Sequence, residues 1–486
     1  MALGEDTSMV DRHLEDAVMR DLIFEEGSPE DRAYRFKHIL IRDVAYAGLP
    51  KARRAELHER FAHWLADSAG DRRAEFAEIV AYHLETAVQL QIELHGKAEP
   101  GLQGAAVDAL EAASRKAGTR EDFRAALGFA ERCLALGPQP EEHRLEVEWL
   151  RLEAVWRLSD IRRAGELGAR LAADAERVGR IDLQGRALFA QCEDEWLGMG
   201  QSPSAERGRA LAEQAHDLLT RAGDLIYLFN TALYIGWGGW FSGNLDIAWE
   251  RFSEAADFAR RVGNRAHEAE ATGYMGNVRG FQGRAAEQAA LYQRATALAA
   301  SSASRVSKAR LQRMYGTNIG RSESIEAGWE KIAAALPVLE ESGDRTEVGS
   351  ALETLAELEL MRGRPAAAIP LAERAVALWE EVGHRGFLPE AERRLAEALL
   401  DLADYAGAER HALRAVETRL ADDWYTVAST TMALGRVRDA QGRGDEAEVL
   451  LKEAITVIER GDYRTQYWLF YLPANAGWRK PGRPRG

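Results

Sequence analysis

Residues 234–261 read YIGWGGWFSGNLDIAWERFSEAADFARR, and the pattern in them returns every 40 residues. Gly236 in the first half is answered by Gly276, Gly316, Ala356 and Ala396. In the second half, Ala255 is answered by Ala295, Ala335, Ala375 and Ala415, with Ala454 one residue early. Three residues before each of these stands Phe252, Tyr292, Ile332, Ala372, Ala412 or Leu451. Residues three apart share a helix face. Small residues let two helices approach closely, and the larger residue fills the gap beside them. A helical hairpin with such a face cannot bury it alone, whereas stacked copies can, which predicts a solenoid.

Two glycine columns punctuate the repeat. Gly223, Gly263, Gly343 and Gly383 lie in TRAGD, RRVGN, EESGD and EEVGH, with Ala303 and Asp423 in the remaining slots. Each is predicted to end a helix. Gly243, Gly283, Gly363 and a Gly or Arg near 443 mark the tight turn inside each unit. The period loosens between about 100 and 205, where Gly179 to Gly223 spans 44 residues, and eight or nine units are expected in all. The order of the columns resembles the tetratricopeptide repeat (TPR): a small residue in the first helix, then Ala, a large apolar residue and Ala in the second. Gly236, Ala248, Phe252 and Ala255 carry that resemblance, and Ala126, Ala130, Cys133 and Pro138 carry it in REDFRAALGFAERCLALGP. A TPR unit has about 34 residues, so the longer period implies longer helices, and armadillo or HEAT repeats of about 40–47 residues are the structural alternative. The expected fold is an all-α, TPR-like α-solenoid, a right-handed superhelix that stays open rather than closing into a toroid.

Composition agrees with helices. Of 486 residues, 46% are hydrophobic and only 13 are Pro. The formal net charge of −15 argues against a broad nucleic-acid surface or an anionic membrane as main partner. Cys133 and Cys192 both lie in helical patterns, so a disulfide framework is not expected and a reducing cytoplasm is the natural compartment. No apolar run reaches membrane-spanning length.

Near the start stands FKHILIRDVAYAGLPKARRAELHERFAHWL, residues 36–65. With AYHLETA (81–87) and the repeats behind it, this stretch resembles a junction in large bacterial signalling ATPases, which join a STAND or AAA-type module to a winged-helix-like piece and a TPR array. Many of those carry a class III adenylate/guanylate cyclase domain or a LuxR-type DNA-binding domain. Phe36, His38, Ile41, Asp43, Tyr46, Arg54, Leu57, His58 and His83 carry the resemblance. It implies a partial winged-helix-like segment over 1–50 with a short β-hairpin turning at Gly27-Ser28-Pro29, after a helix from Val10 to Ile23. A helical junction over 51–99, the repeat array over 100–470 and a disordered basic tail over 471–486 complete the expected organisation. It also implies an ATPase module as partner, in cis or in trans, docked on Ile39, Ile41, Val44 and Tyr46. The alternative is a fragment of a cyclase–ATPase–TPR protein whose nucleotide-binding and catalytic modules lie outside this chain.

No catalytic constellation stands out. The phosphate-loop pattern G-x-x-x-x-G-K-[ST] is absent, so no backbone cradle for a nucleotide is expected. His58-Glu59 with His63 has the wrong spacing for zinc, since five residues turn the two imidazoles about 140° apart on a helix. His38, His58 and His83 are expected to be structural hydrogen-bonding histidines. The tail RKPGRPRG resembles an AT-hook, but Pro481 stands where the core motif has Arg. No cofactor and no metal are expected. The candidate site is the concave groove lined by the first helix of each unit. There Trp237 and Trp240 fall on the inner side, with Leu233 and Asn230 one and two turns back. Asn277, Thr317, Glu357 and Glu397 take the Trp237 position in later units. Aromatic residues in such a groove anchor proteins or peptides; the competing reading makes the tryptophans core filler.

Overall fold

The computed structural model describes residues 7–28, 31–137, 139–198, 202–301, 304–384, 386–420 and 423–460. Helix α1 (Thr7–Met19) ends earlier than the sequence pattern predicts. Asp21 adopts a left-handed φ of 62°, and the Leu22 amide donates back to the Ala17 carbonyl at 3.0 Å, closing the helix. Strands β1 (Ile23–Ser28) and β2 (Asp31–Phe36) then pair antiparallel, Ile23 opposite Phe36 and Ser28 opposite Asp31. Gly27 sits at φ 100° beside the predicted turn. Pro29 lies outside the described residues, as do Pro138, Ala303 and the whole tail from 461 with its Gly-Arg-Pro.

The chain divides into two units, one ending at Arg151 and one beginning at Leu152. The first continues with α2 (Ile39–Ala47), α3 (Lys51–Ser68), a 3₁₀ segment (Gly70–Phe76), α4 (Ala77–His95), α5 (Pro100–Thr119) and α6 (Phe123–Ala135). Ala62, Leu84, Val88, Leu102, Leu110 and Ala130 form its core. His58 and His83 meet there, Nδ1 to Nδ1 at 2.7 Å, and the Tyr46 hydroxyl bonds His58 Nε2 at 2.8 Å. His38 does not join them: its ring accepts from the Leu40 amide and caps α2. A hydrogen bond between two imidazole nitrogens needs one donor and one acceptor. Burial, with the charge of Arg54, lowers the His58 pKa; burial and the charge of His58 lower His83 to about 4.

Within α7 (Glu141–Arg157) the division falls. The second unit runs through α8 (Ile161–Val178), α9 (Ile181–Gly198), α10 (Ser202–Ala222), α11 (Leu225–Phe241), α12 (Leu245–Arg261), α13 (Arg265–Phe281) and α14 (Ala285–Ala300). It continues with α15 (Arg305–Ser322), α16 (Ile325–Ser342), α17 (Arg345–Met361), α18 (Pro365–Val382), α19 (Leu388–Asp401), α20 (Tyr405–Thr418), α21 (Trp424–Ala440) and α22 (Gly444–Arg460). Among the described residues of the second unit, α9–α10, α11–α12, α13–α14, α15–α16, α17–α18, α19–α20 and α21–α22 pack as successive hairpins.

The columns pack as their chemistry requires. Ala255, Ala295, Ala335, Ala375, Ala415 and Ala454 are all buried, and so are the six residues three positions before them, four of which are larger than alanine. A methyl placed on Gly236 would lie 2.6 Å from the Phe252 ring, one on Gly316 2.7 Å from Ile332, and one on Gly276 3.2 Å from Tyr292. Gly223, Gly263, Gly343 and Gly383 all stand at φ between 72° and 78°, where a side chain would be strained. The inner turn of the last pair falls at Gly442, one residue early like Ala454. Asp423 does not end a helix. Its side chain accepts from the Thr426 amide and starts α21, as Asp224, Asn244, Asn264, Asp344 and Asp404 start their helices. Each such cap contributes about 1 kcal/mol.

The odd-numbered helices from α11 to α21 pack on one another along the inner side, and the even-numbered ones lie outside. The second unit is wound more tightly than the open superhelix expected. The Trp424 indole donates to the Trp240 carbonyl at 3.3 Å, 184 residues away in sequence. The Thr346 hydroxyl bonds the Ser159 hydroxyl at 3.0 Å, and Val382 packs with Ile161 and Trp156. Small residues on the inner helices and bulky ones on the outer layer, such as Phe252 and Trp379, turn each pair relative to the last.

Candidate functional site

The inner helices of the second unit line an open cavity of about 510 Å³. That lies within the usual range for ligand sites. Its two sides differ in chemistry. One is aromatic and comes from α9, α11 and α13. The Trp237 and Tyr274 rings meet edge to face at 4.6 Å, Trp240 and Phe281 at 4.4 Å, and Phe189 and Tyr234 at 6.0 Å. Edge-to-face pairs hold one another's orientation, so this wall is pre-formed. Trp237 is half-buried, its other edge on Phe252 at 5.8 Å, while Trp240 is buried at 8% exposure. Both tryptophans therefore serve the core and the cavity at once.

The other side is polar and comes from α15, α17 and α19. Arg313 holds Glu347 at 2.6 Å, and Arg393 holds Glu390 at 2.6 Å and Glu397 at 2.7 Å. Glu357 receives Arg321 at 2.5 Å and Arg394 at 2.9 Å. Burial alone would raise the Glu357 carboxyl, but these two guanidiniums overcome it and hold it at about 2. Between the walls, the Asn318 amide donates to the Asn277 carbonyl oxygen at 3.0 Å, and the Thr317 and Thr354 hydroxyls face each other at 3.5 Å.

Of the groove residues expected from the sequence, Asn230, Leu233, Trp237, Trp240, Asn277 and Thr317 line this cavity together. Glu357 and Glu397 do not line it. They lie beneath it, 1% and 7% exposed, because each is drawn into the buried arginine layer. Sequence reading passed over Tyr274, Arg313, Arg321, Glu353 and Phe387. A signal was present: Arg313 and Glu353 repeat the Leu233 position, as Tyr274 repeats Tyr234. Of the docking face expected on α2 in the first unit, Ile39 and Val44 are 58% and 74% exposed and Tyr46 39%, while Ile41 is half-buried. Among the described residues no group of three or more His, Cys, Asp or Glu is placed to hold a metal ion. No described helix is long and apolar enough to cross a membrane.

A family model described as tetratricopeptide repeat matches residues 348–382 and 427–460, which lie on the hairpins α17–α18 and α21–α22. No curated protein matches the chain. Among solved structures, BtubC from P. vanneervenii is 16% identical, covering 50% of this chain and 96% of its own, with a TM-score of 0.36. The Rap conjugation gene regulator of plasmid pLS20, in complex with the Phr* peptide, is 13% identical over 72% of this chain and 99% of its own, TM-score 0.49. A Rap protein complexed with Competence and Sporulation Factor is 11% identical over 66% and 99%, TM-score 0.43. The matched hairpins and the packing columns together make the fold an all-α, TPR-like α-solenoid.

Proposed function

We propose that the chain is a non-catalytic scaffold that binds a short extended peptide, or a protein segment of that form, in the cavity of its second unit. The observation that supports this most is the division of the cavity into an aromatic wall and a polar one. Trp237, Tyr274 and Phe281 offer flat surfaces to an apolar side chain, and aromatic anchors of this kind dominate binding energies. Asn230, Asn318 and Thr317 carry amides and hydroxyls that both donate and accept, which suits a peptide backbone. The role that goes with such a site is that of a sensor or docking half of a bacterial signalling ATPase or transcriptional regulator. An ATPase module, in cis or in trans, would then cover the exposed apolar face of α2, since soluble surfaces seldom leave such residues grouped.

The test is selection from a displayed random heptapeptide library on the full chain, followed by titration calorimetry of the selected peptide. Binding is expected to weaken at least about tenfold in Trp237→Ala, the usual loss for an anchor residue. Selected peptides that bind the variant equally well would reject the cavity as their site.

A further inference from the structure

On the reading of the cavity as a peptide site, we propose that Glu353 binds a basic residue of the ligand, the ammonium of a lysine or the guanidinium of an arginine. Glu353 stands on α17 and lines the cavity, among charges that are otherwise taken. On α15, Arg313 is held by Glu347 and Arg321 by Glu357. On α19, Arg393 is held by Glu390 and Glu397, and Arg394 by Glu357 and Glu397. The Glu353 carboxyl makes no hydrogen bond and no ion pair among the described residues.

The remaining charged groups near the cavity do not supply a partner. Arg157, from α7, acts on Glu270 and His267. His384 lines the cavity from the turn before α19, but burial lowers it to about 3, so it is neutral. Burial, then the charge of Glu390, pushes the Glu353 carboxyl up to about 8; Glu357 adds to this, while Arg394 and Arg321 oppose it. On α13, burial also raises Glu270. An acid left unpaired in a low-dielectric site is neutral until a cation arrives.

Charge complementarity fixes the occupant. An anionic ligand would find Arg313 and Arg321 already held by Glu347 and Glu357, and a neutral one would leave the Glu353 carboxyl without an ionic partner. A lysine or arginine satisfies the carboxylate and lays its methylene stem along the apolar wall. Below pH about 8, binding then carries the Glu353 proton into solvent, and affinity rises with pH up to that point.

The experiment uses the full chain and N-acetylated, C-amidated tetrapeptides with one fixed Phe. The adjacent position is Lys, norleucine or Glu. Calorimetry at pH 6.5 in two buffers of different ionisation enthalpy reads affinity and proton release together. Lysine peptides are expected to bind at least about tenfold more tightly than their norleucine counterparts, with about one proton released. Glu353→Gln keeps the shape of the neutral acid, and an unchanged melt confirms its fold. It should bring the lysine peptides down to the norleucine level and abolish the release. Equal binding of the lysine and norleucine series, or a lysine preference that survives Glu353→Gln, overturns the cation site. The peptide reading would still stand in that case if Trp237→Ala weakens all series. Absence of binding by every peptide overturns both.

Discussion

Trp237 touches Phe252 and Tyr274 with its ring and faces the cavity with the rest. Its replacement should therefore show in two measurements at once. Trp237→Ala is expected to lower unfolding free energy by about 2 kcal/mol, less than the 3–5 kcal/mol of a fully buried tryptophan. The same change should cost more than about 1 kcal/mol in binding of a selected peptide. Trp240 is the more buried of the two, so Trp240→Ala should weigh further toward stability. Urea melts and calorimetry on both variants separate the contributions; a loss of stability with peptide affinity unchanged would make both tryptophans core residues. The inner aromatic positions were legible in the sequence because they share one face of α11. Glu353 was not, because following the Trp237 column leads to Glu357, one turn further on. The inner face of a helix is wider than one column, and arginine pairing, invisible in sequence, decides which acid is buried and which looks into the cavity.

Between helices, the decisive contact is a glycine against a large side chain. Gly236→Ala would ordinarily favour a helix by about 1 kcal/mol. Here the added methyl meets the Phe252 ring at 2.6 Å. Overpacking costs about 1–3 kcal/mol, so net destabilisation is expected, and Phe252→Leu in the same chain should recover part of it. Denaturant unfolding of the single and double variants checks this. Spacing alone predicted these columns, since period and residue size suffice to place a close approach. The N-caps were equally visible, each directly after a helix-ending glycine in Asp224, Asn264 and Asp344, yet the glycine drew the reading to the end of one helix rather than the start of the next. The tight winding was not legible, because it accumulates from small rotations at each pair that no single motif encodes. Helices α3 and α4 give a further prediction. His83 and His58 both have folded-state pKa values below the ordinary value of 6.5, His83 at about 4. Protons therefore bind the unfolded chain more readily, so their contribution is present above pH 6.5 and is lost as pH falls toward 4. Amide exchange over residues 51–95, corrected for intrinsic rates, should show lower protection at pH 5 than at pH 7. In His83→Leu that difference should shrink; an undiminished slope would place the sensitivity elsewhere.

At the scale of the molecule, the first unit offers an exposed apolar helix face and the second a cavity with aromatic and charged walls. The repeat period foretold the scaffold and the groove, while the chemistry of the groove emerged from pairing between residues 34 to 39 apart in sequence. The central claim is that the cavity is where a ligand binds, and hydrogen–deuterium exchange of the full chain with and without a selected peptide tests it most directly. Bound peptide is expected to slow exchange on the inner helices α11, α13, α15, α17 and α19, with α12, α14, α16 and α18 little changed. Protection confined to the outer helices or to the first unit, with a peptide that calorimetry shows to be bound, would contradict it.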